Sequence, residues 1–272
     1  MNWRKELVNS YTRIEDLLSV LELDINQIDQ LISTKTYFPF RVTQAYASRI
    51  KPRDPNDPLL LQVLPTSGEL LSPQNFSDDP VGEEPFKKDS SLLQKYHGRA
   101  LLVATGACAI NCRYCFRRAF PYQHMIKAQA LENAIEQISR DLSIKEVILS
   151  GGDPLILDDQ ELETIFESLQ RIKHVERLRI HSRLPIVLPS RVTKRFTRLM
   201  RDTSLNTSLV VHVNHPNELD NLTIESLRRC KDNGLILLNQ SVLLKNINND
   251  IKTLTELSEV LFSAGVLPYY MH

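Results

Sequence analysis

From Gly98 onwards short apolar runs alternate with amphipathic stretches of about 10 to 15 residues, and this alternation restricts the chain to an α/β fold on a largely parallel sheet. Parallel strands cannot be joined by a tight turn, so each crossover has to carry a helix. The strand candidates are ALLVAT (100–105), EVILS (146–150), RLRIHS (177–182), SLVVHVN (208–214), LILLNQS (235–241) and VLPYYMH (266–272). Helices fit between them at about 128–142, 159–172, 190–202, 218–233 and 250–263. Asp158 and Glu161 have capping-box spacing at the second helix, and Gly234 and Gly265 stand where helix ends demand positive φ. The pattern predicts a partial (β/α)6 TIM-like barrel.

Residues 1–95 stand outside this alternation and are expected to form a helical and irregular region that wraps the barrel of residues 96–272. Leu17, Leu18, Leu21 and Leu23, then Ile25, Ile28, Leu31 and Ile32, recur at helical spacing and predict two or three short amphipathic helices. Prolines crowd between Pro39 and Pro85, so regular structure is expected to be sparse there, although LLLQVLP (59–65) is apolar enough to be buried. The chain ends at the sixth strand. A parallel strand is normally covered on both faces, so Tyr269 and its neighbours are expected to lack a partner layer, supplied either by another chain or by a missing C-terminal part.

Four cysteines in 272 residues, three of them in one loop, make no disulfide framework, which points to reduced thiols and a cytoplasmic protein. The opening MNWRKELVNSYTRIEDLL has no apolar signal core, and no run of about 18 apolar residues spans a bilayer. Thirty-three basic residues balance thirty-three acidic ones, so no global field draws in nucleic acid. A small-molecule substrate is expected, with neither nucleic acid nor membrane as partner.

In such barrels the working residues collect at the C-terminal ends of the strands. The first of these ends carries Cys108, Cys112 and Cys115 in CAINCRYCFRR. Four thiolates would close a zinc site or fill a [4Fe-4S] cluster, whereas three leave one iron open to a ligand. The alternative is a zinc site completed by Cys230 or a histidine, but Cys230 falls mid-helix in SLRRCKDNG, where a half-buried structural thiol is expected. Gly151, Gly152 and Asp153 follow the second strand, either as an ordinary loop or as backbone that an amino-acid moiety can approach closely. HSR (181–183), HVNHP (212–216) and NQS (239–241) complete the rim. His212 can share a strand face with Asn214 but not with His215, which argues against a zinc pair. Arg117 and Arg118 are either a solvated pair or, at the barrel mouth, a site for a substrate carboxylate. The basic stretch PSRVTKRFTRLMRD (189–202) reads as an exposed helix face.

The segments KYHGRALL, CAINCRYCFRR, LSGGDPL, RIHSRLPIVLPSR, HVNHPNE, LLNQSVLLK and GVLPYY together resemble radical S-adenosylmethionine enzymes of the lysine 2,3-aminomutase family, from about Tyr96 to the last residue. CAINCRYCFRRAFPY, KYHGR and the N-terminal helical region are most similar to the bacterial branch that serves elongation factor P. The resemblance implies a radical S-adenosylmethionine partial barrel and an isomerase converting (S)-α-lysine to (R)-β-lysine, which a partner ligase attaches to the factor. It implies a [4Fe-4S] cluster on Cys108, Cys112 and Cys115, S-adenosylmethionine lined by Gly151, Gly152, Asp153, His212 and Gln240, and pyridoxal phosphate in contact with Arg99. Arg117 matches the arginine for the lysine carboxylate, whereas a second arginine of the family is Lys95 here. A 5′-deoxyadenosyl radical then takes a hydrogen from C3 and nitrogen migrates from C2 to C3. A flavodoxin- or ferredoxin-like reductant and a homo-oligomer are also implied. Family acids for the ε-ammonium, and the lysine that anchors pyridoxal phosphate, lie beyond PYY and have no match here. Two alternatives therefore stand: a truncated relative that binds only cluster and S-adenosylmethionine, and a noncatalytic iron–sulfur electron-transfer protein, which would leave GGDP and NQS without a role.

Overall fold

The computed structural model describes residues 2–28, 38–71, 74, 77–120 and 128–272. Leu31, Ile32 and Pro73 of the expected pattern lie outside the described residues. The N-terminal region opens with α1 (Trp3–Val8) and α2 (Ile14–Val20), followed by a 3-10 turn at Ile25–Gln27. Helix α2 buries Ile14, Leu17 and Leu18, the positions three and four apart that one helix face brings together. A single turn, α3 (Gln44–Ala47), is capped by the Thr43 hydroxyl. Beyond it the proline-rich stretch is held largely in turns, yet Leu59, Leu60, Val63 and Leu64 are buried as LLLQVLP suggested.

The sheet follows as β1 (Lys87–Asp89), β2 (Leu92–Tyr96), β3 (Arg99–Thr105), β4 (Glu146–Gly151), β5 (Arg177–Ser182), β6 (Asn206–His212), β7 (Ile236–Ser241) and β8 (Leu267–Met271). Strand order is sequential, and β3 to β8 pair in parallel. These are the six strands expected from the sequence. The helices α4 (Ala128–Arg140), α5 (Asp159–Gln170), α6 (Leu184–Val187), α7 (Lys194–Asp202), α8 (Asn221–Asp232) and α9 (Ile251–Ser263) fill the crossovers. The Asp158–Glu161 capping box forms, and Gly234 and Gly265 take φ of 85° and 80°.

Three features depart from the expectation. An antiparallel hairpin, β1 with β2 and β2 with β3, adds two strands at the leading edge, and a boundary at 95/96 falls inside β2. Gly98 at φ 76° closes the turn that pairs Leu92 with Leu102. Helix α7 begins at Lys194 and not at 190, because Pro189–Arg191 form a 3-10 turn. The basic stretch is also not wholly exposed: Arg191 is fully buried, donating to the carbonyls of Leu155 and Leu157 and pairing with Asp159 at 2.8 Å.

Alternate strand residues such as Leu102, Leu149, Ile180, Leu209, Val211 and Leu237 are buried, and Leu162, Ile165, Phe166 and Leu169 of α5 join them in one apolar cluster running from Ile14 to Val266. The register places Arg99, Leu101, Val103, Glu146, Ile148, Ser150, Arg179, His181, His212 and Gln240 on the opposite face, where polar side chains line the open barrel. All β8 side chains are exposed. Among the described residues no helix is long and apolar enough to cross a membrane.

Candidate active site

The cysteine loop leaves β3 at Thr105 and lies directly on the turn that ends β4. Gly152 N donates to Thr105 O at 2.6 Å and Asp153 N to Ala107 O at 2.8 Å. A Cβ on Gly151, which sits at φ 118°, would lie 2.5 Å from Thr105 O, and one on Gly152 would collide with Ala107 O. The two glycines therefore admit the backbone of the cysteine loop itself. The N-terminal region holds the loop from the other side, with Asn111 N donating to Arg41 O and Arg113 N to Gln62 O.

Asp153 is buried, and its carboxylate faces the end of β5, accepting from Ser182 Oγ (2.7 Å), Arg183 N (2.8 Å), Leu184 N (3.0 Å) and Leu155 N (3.0 Å). Burial raises its pKa against the pull of these donors. The Asp153 side chain is thus engaged within the protein, and the N–H groups of Gly152 and Asp153 are taken by the cysteine loop.

Cys108, Cys112 and Cys115 are each partly exposed on this one loop. Burial and the neighbouring charges push the Cys108 thiol well up, and burial followed by Cys112 pushes Cys115 to about 11. Cys112 Sγ receives a hydrogen bond from Arg183 Nη1 at 2.7 Å. Among the described residues no three Cys, His, Asp or Glu side chains converge as ligands of a single ion. A cubane instead binds each thiolate to a different iron, and the positive charge of an iron centre would favour the thiolates of Cys108 and Cys115 that burial disfavours. Cys230 is not half-buried but fully buried, at the end of α8 that leads into β7, with its thiol pushed to about 12 by burial. It therefore sits at the barrel end opposite the cysteine loop.

Arg117 reaches the rim as expected and is buried there. Its Nε and Nη2 grip the Glu83 carboxylate at 2.9 and 2.5 Å, while Nη1 donates to Ser150 Oγ at 2.8 Å. The Phe116 and Phe120 rings stack near the guanidinium. Arg118 is not a solvated partner of Arg117: it shares the Glu69 carboxylate with Arg113. His212 and Gln240 are direct neighbours across β6 and β7, and the His212 ring lies 5.2 Å from that of Tyr114. Burial, then Arg183, lowers His212 to about 3; burial, then Arg179, lowers His181 to the same value. Both rings are neutral at physiological pH, and His181 Nε2 has no hydrogen-bond partner among the described residues. His212 Nε2 meets Asn214 Oδ1 at 3.2 Å, whereas His215 caps the turn at Pro216–Glu218.

Arg99 stands apart from this group, at the start of β3 and about 20 Å along the strand from Thr105. There it shares the Glu146 carboxylate with Arg179, at 2.5 and 2.7 Å. Two guanidinium groups on one carboxylate leave a net positive charge on the concave face, a setting that fits a phosphate. Lys95 donates to Val81 O at 2.6 Å, over the Phe86 ring.

Sequence reasoning missed Glu83, Gln62, Glu218 and the role of Arg183. The HSR tripeptide at a strand end was a visible signal for Arg183, but the acidic and amide partners lie far away in the chain and their burial is decided only by packing.

Comparison with known proteins adds the family. The profile of the radical SAM superfamily matches residues 102–257. A curated L-lysine 2,3-aminomutase of Haemophilus influenzae is 42% identical over 272 residues, with 100% of this chain and 80% of the relative covered. Proteins of the same name from Buchnera aphidicola, 44% identical over 273 residues, and Escherichia coli, 42% over 275, are covered to the same extent.

Proposed function

The chain belongs to the radical SAM superfamily and, within it, to the L-lysine 2,3-aminomutase family, whose members are isomerases built around a [4Fe-4S] cluster and S-adenosylmethionine, and from that premise we propose that it converts (S)-α-lysine to (R)-β-lysine. We further infer pyridoxal phosphate as a third cofactor, a flavodoxin- or ferredoxin-type reductant, a cytoplasmic location, and a product destined for the ligase that modifies elongation factor P. The observation that carries the reading is a triple-cysteine loop seated on a glycine turn at the strand ends, in a chain alike over its whole length to the named relatives.

When bound, the reduced cluster and S-adenosylmethionine supply the radical that takes hydrogen from the substrate, and pyridoxal phosphate stabilises the substrate radical while nitrogen migrates. Cys108, Cys112 and Cys115 hold irons as thiolates. Gly151 and Gly152 would line S-adenosylmethionine with those backbone groups that the cysteine loop leaves open, and Asp153 anchors their turn to β5. His212, kept neutral by burial, and Gln240 add uncharged hydrogen-bonding groups that do not repel a sulfonium. Arg117 binds the lysine carboxylate, which takes the position that the Glu83 carboxylate holds. Arg99 and Arg179 bind the cofactor phosphate.

The test is anaerobic reconstitution with iron and sulfide, then S-adenosylmethionine, pyridoxal phosphate, a strong reductant and L-lysine, with mass spectrometry of the products. The expected products are 5′-deoxyadenosine and β-lysine. Deoxyadenosine alone would limit the chain to radical generation, and neither product from a cluster-loaded chain would overturn the reading.

A further inference from the structure

We propose that Arg183 is a positioning residue for the cluster: its guanidinium orients the Cys112 thiolate and, by donating a hydrogen bond to that sulfur, raises the cluster's reduction potential. The inference rests on the reading of Cys108, Cys112 and Cys115 as iron ligands.

Arg183 follows β5 and its side chain is only 6% exposed. An enclosed guanidinium is costly unless its charge is compensated and its donors are satisfied. Glu218, completely buried, supplies the charge, accepting from Arg183 Nη2 at 2.8 Å. Burial tends to raise the Glu218 pKa, but Arg183 and the surrounding donors outweigh it, so the carboxylate stays ionised. Those donors are Asn214 N, His215 N and Gln62 Nε2. Gln62 Oε1 accepts from Arg183 Nη2 at 2.7 Å, and the Tyr46 and Tyr114 rings lie 5.3 and 5.5 Å from the guanidinium carbon. The Arg183 backbone is fixed in turn by Asp153 Oδ2.

Charge balance is complete with Glu218, so the remaining contact is not needed to neutralise the arginine. Nη1 nevertheless points at Cys112 Sγ, 2.7 Å away, held there by residues from the N-terminal region, the β5 end and the β6 end. Nε is buried with no acceptor among the described residues, so the same guanidinium keeps a donor available beside a loop expected to carry sulfide and thiolate acceptors. An N–H aimed at a ligating sulfur stabilises negative charge, and the reduced cluster carries one more electron than the oxidised form. Donation therefore favours reduction, as outer hydrogen bonds do at other iron–sulfur centres.

The experiment is an anaerobic potentiometric titration of the reconstituted chain without S-adenosylmethionine, read by electron paramagnetic resonance of the reduced cluster and by iron content. The double variant Arg183→Gln/Glu218→Gln removes both buried charges together, and Arg183→Lys keeps a cation for Glu218 so that the fold is retained. The double variant is expected to bind iron yet to show a reduced-to-oxidised ratio about tenfold lower at a fixed potential, equivalent to about 59 mV for one electron. Arg183→Lys should recover part of that loss. A parent-like midpoint in the loaded double variant, or a midpoint above the parent's in loaded Arg183→Lys, would overturn the role of Arg183 alone. Failure of the parent chain to assemble a cluster would overturn the underlying reading, and this inference with it.

Discussion

At the scale of single residues, burial beside positive charge decides how the concave face titrates. His181 and His212 are held neutral, each at about 3, by burial first and then by Arg179 or Arg183, whereas both take up protons near pH 6.5 once unfolded. Below about pH 6.5 the unfolded chain binds protons that the native state refuses, so stability is complete above that pH and is lost on acidification. Each group contributes a slope approaching 1.4 kcal/mol per pH unit, and the pair is expected to remove about 2 kcal/mol between pH 6.5 and 5.5, before carboxylates titrate. His215 and His272 shift in the same direction and steepen the trend. Urea unfolding at pH 7.5, 6.5 and 5.5 checks this, with a flatter profile expected for His181→Gln/His212→Gln; a midpoint independent of pH in the parent would refute it. The cysteines, Arg117 and the glycine turn were legible in the sequence because their spacing is local. The pairing of Arg117 with Glu83 was not, since the two are joined across a stretch whose path depends on tertiary contacts.

At the scale of elements, local chemistry marks the boundaries. The Asp158 carboxylate accepts from Gln160 N and Glu161 N, and Glu161 reaches back to Asp158 N at 2.7 Å, closing both ends of the α5 cap. Asp158→Ala is expected to cost about 1 kcal/mol, visible as a lower Tm, because a backbone N–H pair loses its acceptor at the helix start. Removing Arg4, which pairs with the same carboxylate on an exposed surface, should change stability by well under that amount. Equal losses for the two variants would show that the ion pair, not the cap, stabilises this end. Caps and periodicity made α5, α8 and α9 readable, as they did the six parallel strands. The β1–β2 hairpin was not readable, because three and five residues such as KKD and LLQKY carry no strand period of their own and become strands only by pairing with β3.

At the scale of the whole molecule, the N-terminal region and the barrel share one apolar cluster from Ile14 to Val266. Leu60, in the proline-rich stretch, is fully buried within it. Leu60→Ala is expected to destabilise the entire chain by about 2–5 kcal/mol in a single cooperative transition, measured by denaturant unfolding with a fluorescence and a circular dichroism probe. Two separable transitions would instead show that residues 1–95 fold as an independent unit. Gln62 and Tyr46 belong to the same region and reach Arg183 behind the cysteine loop, so the region contributes to the site as well as to the core. The order of the six parallel strands and their crossover helices, and the triple-cysteine motif, were determined by the sequence alone, because hydrophobic period, capping and ligand spacing act over a few neighbouring residues. Which donors face those cysteines, which carboxylates neutralise the buried arginines, and that the glycine turn admits the cysteine loop were decided only by the tertiary structure. These depend on residues distant in the chain meeting where water is excluded, and there each unpaired charge or polar group is costly enough to select one arrangement.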